Sequence, residues 1–166
     1  MRTQRDTAAG VIVYYRDGRR CRFLLLLSRL TRRPLWEFPK GGVDGNETLL
    51  EAGFRELREE TGLGPDDVRQ LPQFERMERY RFTVGSGTER VMIRKQVTYF
   101  LAEALHERVR LSAKETLDFA WVELPEALRR VRYAERRRIL EAAAAVAGCG
   151  DAGHETAVAD DRATGA

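Results

Sequence analysis

The apolar positions of this chain fall into short β-type runs, one strongly periodic helix and a weaker helical close. Residues 7–16, TAAGVIVYYR, pass from small to β-branched and aromatic side chains and predict a strand. Asp17-Gly18 is a hairpin turn signal, and CRFLLLLS at 21–28 predicts the returning strand. Its unbroken apolar run fits a central strand covered on both faces. Residues 29–34 read as a basic loop. LWEFPKGG at 35–42 reads as a short strand ending at Pro39, followed by a glycine-rich loop through Gly45.

A helix is predicted from Leu49 to Thr61, where Thr48 and Glu51 fit a capping box and Gly62 supplies the left-handed stop. Leu50, Phe54, Leu57 and Thr61 form its inward stripe. Gly53 lies inside it, where glycine costs about 1 kcal/mol relative to alanine, and close packing is the expected reason. Strands follow at about 70–84 and 89–103 around a GSGT turn, with another at about 119–122. PEALRRV and residues 134–147 predict helices. Residues 148–166 are small, polar and aperiodic, which places a folded domain at 1–147 and a flexible tail after it. The order of elements predicts an α+β sandwich around a sheet.

With 166 residues, 43% apolar and 33% charged, the chain has the make-up of one soluble domain able to bury a real core. No apolar run approaches the roughly 20 residues needed to span a bilayer, so no membrane partner is expected. MRTQRDTAAG leads into no apolar signal segment, and a cytoplasmic address follows as the expectation. Cys21 and Cys149 stand far apart without metal-ligand spacing, and no disulfide framework is expected. His106 and His154 read as ordinary surface residues. The net charge is only +3, yet Lys40, Lys95 and Lys114 are the only lysines among 29 basic residues. Arginine forks suit phosphate oxygens, and codon bias in a GC-rich genome would give the same excess.

The candidate chemistry lies in residues 41–63, GGVDGNETLLEAGFRELREETGL. Glu56, Glu59 and Glu60 share one helix face and repel one another unless a cation neutralises them. A hard divalent ion fits, because it prefers oxygen ligands. A solvated acidic face would look the same in isolation. Gly41, Glu47, Arg55-Glu56-Leu57, Glu59-Glu60 and Gly62-Leu63, however, match every fixed position of the Nudix hydrolase signature, and the chain resembles that family over most of its length outside the tail. The resemblance implies a Nudix-type α/β/α sandwich with a mixed central sheet. It also implies that Glu56, Glu59 and Glu60 bind Mg²⁺ or Mn²⁺ together with the Lys40 carbonyl, while Glu47 and Arg55 pair to hold the acidic face in register. The general base is left open between Glu60, Glu56 and a later glutamate. For that later residue, which would also bind metal, the candidate is Glu115, six positions before Trp121.

The flanking segments AAGVIVYY, WEFPKGGV and KQVTYFLAE are similar to diadenosine polyphosphate hydrolases of the asymmetrical type. That similarity implies a nucleotide substrate, with Lys40, Tyr80 and Lys95 as the residues that contact base and polyphosphate. Phe82, two positions from Tyr80, is expected to face the core. A nucleoside triphosphate, ADP-ribose or RNA 5′-end substrate is the alternative within the enzyme class, and a nucleotide-sensing module without turnover is the alternative outside it. No RNA-binding signature appears, so no stable nucleic-acid partner is expected; oligomeric state is left open.

Overall fold

The computed structural model describes residues 1–29, 33–112 and 114–150. Residues 30–32 of the basic loop and residues 151–166 of the expected tail, with His154, lie outside them. The elements run β1 (Arg2–Asp17), β2 (Arg20–Ser28), β3 (Leu35–Glu37), β4 (Lys40–Gly42), α1 (Leu49–Thr61), β5 (Val68–Gln70), β6 (Arg76–Val84), β7 (Val91–Ala104), β8 (Thr116–Val122), α2 (Leu124–Arg130) and α3 (Ala134–Ala147).

The strands form a mixed sheet in the order β3-β2-β1-β7-β5, with β4 on β1, β6 on β7 and β8 on β2. β1 and β2 make the expected antiparallel hairpin. β1 and β7 run parallel, in register from Arg2↔Val91 to Tyr15↔Ala104. This pairing starts β1 at Arg2, five residues before the apolar run that marks it in the sequence, because β7 supplies the backbone partners that RTQRD could not recruit locally. Between residues 70 and 84 the chain makes two strands rather than one, with a turn separating β5 from β6.

Helices cover both faces, giving the α/β/α sandwich. On one face Leu57 of α1 packs with Val11, Val13, Leu24 and Ala102. On the other, Ile139, Leu140 and Ala143 of α3 pack with Ile12, Phe23, Leu25 and Leu101. Phe23-Leu24-Leu25-Leu26 thus feeds both cores alternately, as its unbroken apolar run predicted. Each large side chain buried in this way contributes about 1.5–3 kcal/mol relative to leaving it exposed.

The ends of α1 follow the sequence closely. The Thr48 hydroxyl accepts from the Glu51 N–H, and Gly62 adopts φ +77° while its N–H donates to the Arg58 carbonyl. The inward stripe differs at one end: Leu50 is 38% exposed, whereas Ala52 and Gly53 are buried. A β-carbon on Gly53 would lie 3.4 Å from both the Gly10 carbonyl and the Phe100 ring, so the small pair lets helix and sheet meet closely. Among the described residues no helix is long and apolar enough to cross a membrane.

Cys21 and Cys149 correct the expectation from sequence. They form a disulfide that joins β2 to the residue just past α3. Cys149 is buried, and Arg16 donates to the Ala147 carbonyl, so packed structure continues beyond 147. Isolation in sequence concealed a pairing that only the docking of α3 creates. Closing a loop of 128 residues restricts the unfolded chain strongly, by about 4–5 kcal/mol in the chain-entropy model. Reduction is therefore expected to lower the thermal midpoint by roughly 8–20 °C. Scanning calorimetry with and without dithiothreitol measures this, and Cys149→Ser should show no response to the reductant.

Candidate active site

The site is built around one guanidinium. Arg55, on the second turn of α1, carries a planar fork of N–H donors, and acceptors from both loop and helix surround it. Its Nε and Nη2 reach the two oxygens of Glu47 at 2.9 and 2.7 Å in a bidentate fork. Nη2 also donates to the Gly42 carbonyl at 2.8 Å, and Nη1 donates to Glu56 at 2.9 Å and Glu59 at 3.2 Å. The Glu47 carboxylate further accepts from the Asp44 N–H. These bonds hold its pKa down at about 2, the Arg55 fork being the main cause. The glycine-rich loop and the acidic helix face are thereby locked together.

Gly41 permits the closest approach. A β-carbon there would fall 2.1 Å from the Glu56 carboxyl carbon, so no other residue fits without moving Glu56. Glu60 sits one turn further along α1 and accepts from the Lys40 N–H at 3.1 Å. Burial, followed by the Glu56 charge, pushes Glu60 up to about 8. Burial also raises Glu56, against the pull of Arg55. Glu115 joins from the loop before β8: its charge raises both Glu56 and Glu60, and it lines a small crevice of about 40 Å³ with Glu60 and Lys40.

These carboxylates suit a hard cation by chemistry. Their oxygens are the right donors, and the buried Glu60 would regain its charge beside a dication. They do not form a ready-made cage: among the described residues no three acidic, histidine or cysteine groups come close enough together to hold an ion. Glu56 and Glu59 are turned toward Arg55 instead. Each meets Arg55 through a single oxygen, Glu56 through Oε1 and Glu59 through Oε2, so the second oxygen of each can turn to a cation while the guanidinium stays bound. Glu56, Glu59, Glu60 and Glu115 would supply oxygens, with the Lys40 carbonyl as the further ligand that the family resemblance implies.

The remaining candidates meet on the α3 side of the sheet. Lys40, Tyr80 and Lys95 line one cavity of about 860 Å³. Lys95 lies 3.1 Å from Asp6, and burial lowers the Lys40 ammonium while Glu37, 3.8 Å away, opposes the shift. Phe82 departs from its expected place in the core. It is 41% exposed, lines this cavity opposite the start of α3, and stacks on Tyr80 with ring centroids 6.1 Å apart. Sequence reasoning missed Glu37, Glu78 and Arg136, which also line this cavity. Arg136 is 2% exposed, donates to Glu78 at 3.1 Å and lies 3.6 Å from Glu37, while Tyr99 donates to the same Glu78 carboxylate. Its position inside an Arg-Arg-Arg run gave no signal of burial. His106 is half-buried and bonded to Asp67.

The raised Glu60 pKa has a definite pH signature. Its folded value of about 8 lies above the ordinary 4.5, so between those values the folded state holds a proton that the unfolded chain has lost. Stability of the metal-free protein is thus expected to fall as pH rises from 4.5 toward 8. Thermal melts in EDTA across that window check this, with Glu60→Gln flattening the decline and Mg²⁺ reversing it near pH 8.

Comparison with known proteins agrees with this geometry. The NUDIX domain model matches residues 4–143. An RNA pyrophosphohydrolase of Halorhodospira halophila is 40% identical over 121 residues, spanning 69% of this chain and 64% of that protein's length. One of Hydrogenovibrio crunogenus is 33% identical over 122 residues, spanning 69% and 71%. Among solved structures, a binary complex of the C. elegans Ap4A hydrolase superposes with a TM-score of 0.73 at 29% identity, covering 86% of this chain and 98% of that one. Domain match, relatives and the arrangement of Gly41, Glu47, Arg55 and the three glutamates agree: the chain belongs to the NUDIX domain family.

Proposed function

We propose that the protein hydrolyses a diphosphate linkage at the end of a nucleotide substrate, using Mg²⁺ or Mn²⁺. The observation that carries this is the crevice where Glu60 of α1 meets Glu115, Glu37 and Lys40, since Glu37 and Lys40 also line the cavity that offers Lys95 and the Tyr80 ring. A divalent ion bound there would offset the diphosphate charge and lower the pKa of an attacking water. The chain's own residues have separate tasks. Arg55 and Glu47 hold the loop to the helix, Lys40 and Lys95 meet phosphate oxygens, and Tyr80 offers a face to a base. Glu60, Glu56 and Glu115 are the candidates for receiving the proton of that water; a dication beside Glu60 would lower its raised pKa and free its carboxylate for the role.

The substrate we favour is the 5′ polyphosphate end of an RNA, since the sequence relatives are named RNA pyrophosphohydrolases. A dinucleoside polyphosphate, the substrate class expected from the flanking sequence, is the second reading. The likeness to the Ap4A hydrolase and the exposed Tyr80–Phe82 stack support it. Complete acidic residues on α1 weigh against a sensor without turnover.

A substrate panel with Mg²⁺ tests both readings: 5′-triphosphate RNA, diadenosine tetraphosphate, ADP-ribose and nucleoside triphosphates, with products identified by chromatography. The expected result is highest kcat/KM on the RNA end. Faster cleavage of diadenosine tetraphosphate would favour the second reading, and no turnover of any would overturn both. Glu60→Gln and Glu59→Gln are each expected to lower kcat by about 100-fold or more while circular dichroism remains native. Near wild-type kcat in both variants would remove the metal assignment.

A further inference from the structure

β1, β6 and β7 run on past the end of α1, and the face that α1 covers continues as an uncovered surface. Ala9 and Phe100 lie beneath the helix on that face. Further along the same face, Arg5 of β1 pairs with Arg94 of β7, and Arg94 pairs with Arg81 of β6. Three guanidinium side chains therefore stand side by side across three hydrogen-bonded strands. Arg79 follows two residues along β6, donating to Gln96 at 3.3 Å. All four arginines are exposed. Like charges directly opposite on neighbouring strands are destabilising. Among the described residues Arg5, Arg81 and Arg94 have no ion pair or hydrogen bond through their side chains. The nearby acid, Asp6, belongs to the opposite face, where it pairs with Lys95. The row lines a groove of about 510 Å³.

We propose that this arginine ladder binds the sugar–phosphate backbone of a single-stranded RNA whose 5′ end occupies the site on the other side of the same strands. Strands about 4.8 Å apart set a regular spacing of cations, and each guanidinium can take phosphate oxygens through two parallel bonds. Binding of single strands combines such a charged track with aromatic faces for the bases. Those faces are present: Tyr80 and Phe82 stack on the opposite side of β6. β6 pairs only with β7 in the described sheet, so a chain can cross its free edge from the rings to the ladder. The two cavities share Arg79, Tyr80, Arg81 and Lys95, and the larger one reaches Lys40. This departs from the sequence expectation of no stable nucleic-acid partner. The choice of RNA rests on the function proposed above; the attraction of the ladder for a phosphate backbone does not.

The test separates the two. A fluorescent 5′-hydroxyl RNA of about 12 nucleotides, within the range one such groove accommodates, has no diphosphate to cleave. Its binding is followed by anisotropy in EDTA between about 50 and 200 mM salt. Wild type is expected to bind with marked salt dependence. Arg81→Gln/Arg94→Gln is expected to bind at least about 10-fold more weakly at low salt, with the slope of log K against log salt reduced by about 1.4, or about 0.7 for each phosphate no longer neutralised. Its thermal midpoint should stay level or rise, because repulsion is relieved. No wild-type binding, an unchanged slope in the double variant, or weaker binding accompanied by a lower midpoint would each overturn the ladder. If the 5′-hydroxyl RNA binds through the ladder but 5′-triphosphate RNA is not cleaved, the functional reading fails and the ladder stands.

Discussion

The Arg55 guanidinium is the constraint on which the rest of the site depends. Its fork fixes Glu47 and the Gly42 carbonyl on the loop side, and its third nitrogen gathers Glu56 and Glu59 on the helix side. Without a cation at this point the carboxylates of α1 would repel one another, and the loop would have no reason to close over them. A lysine could supply the charge but not the planar set of donors. Gly41 and Arg55 act together: the absent side chain admits Glu56, and the guanidinium holds it there.

A second ionic system anchors the other side of the sheet. Arg136 brings α3 to Glu78 of β6 and to Glu37 of β3, and Glu37 lies near Lys40. Breaking such a buried pair by removing one partner costs about 3–5 kcal/mol, because the other charge is left without compensation. The disulfide closes the far end of the same helix onto β2. The α3 helix therefore does more than cover the core. It sets one wall of the cavity that shares Glu37 and Lys40 with the Glu60 crevice.

What the sequence revealed and what it hid divide by range. Thr48, Glu51 and Gly62 act within one helical turn of their partners, so α1 was legible with both ends. Glu47 and Arg55 lie eight residues apart and were recognisable as a pair because the surrounding glycines and glutamates keep fixed spacing. Features set by distant strands were not legible. RTQRD becomes strand only through β7, and Cys21 finds Cys149 only through the docking of α3. Arg136 looks like its two arginine neighbours until the helix is placed on the sheet. Phe82 misled for the same reason, since alternation implies a core face but cannot say that a cavity opens on it.

Glu56, Glu59 and Glu60, held in register by Arg55 with Lys40 and Glu115 close by, are proposed to form a metal platform. Titration of ¹⁵N-labelled protein with Mn²⁺ tests this platform, because the ion broadens amide signals close to where it binds. Signals of residues 40–42, 56–60 and 115 are expected to broaden first, and Glu59→Gln/Glu60→Gln to abolish the effect at the same Mn²⁺ concentration. Broadening centred elsewhere, or unchanged in the double variant, would contradict it.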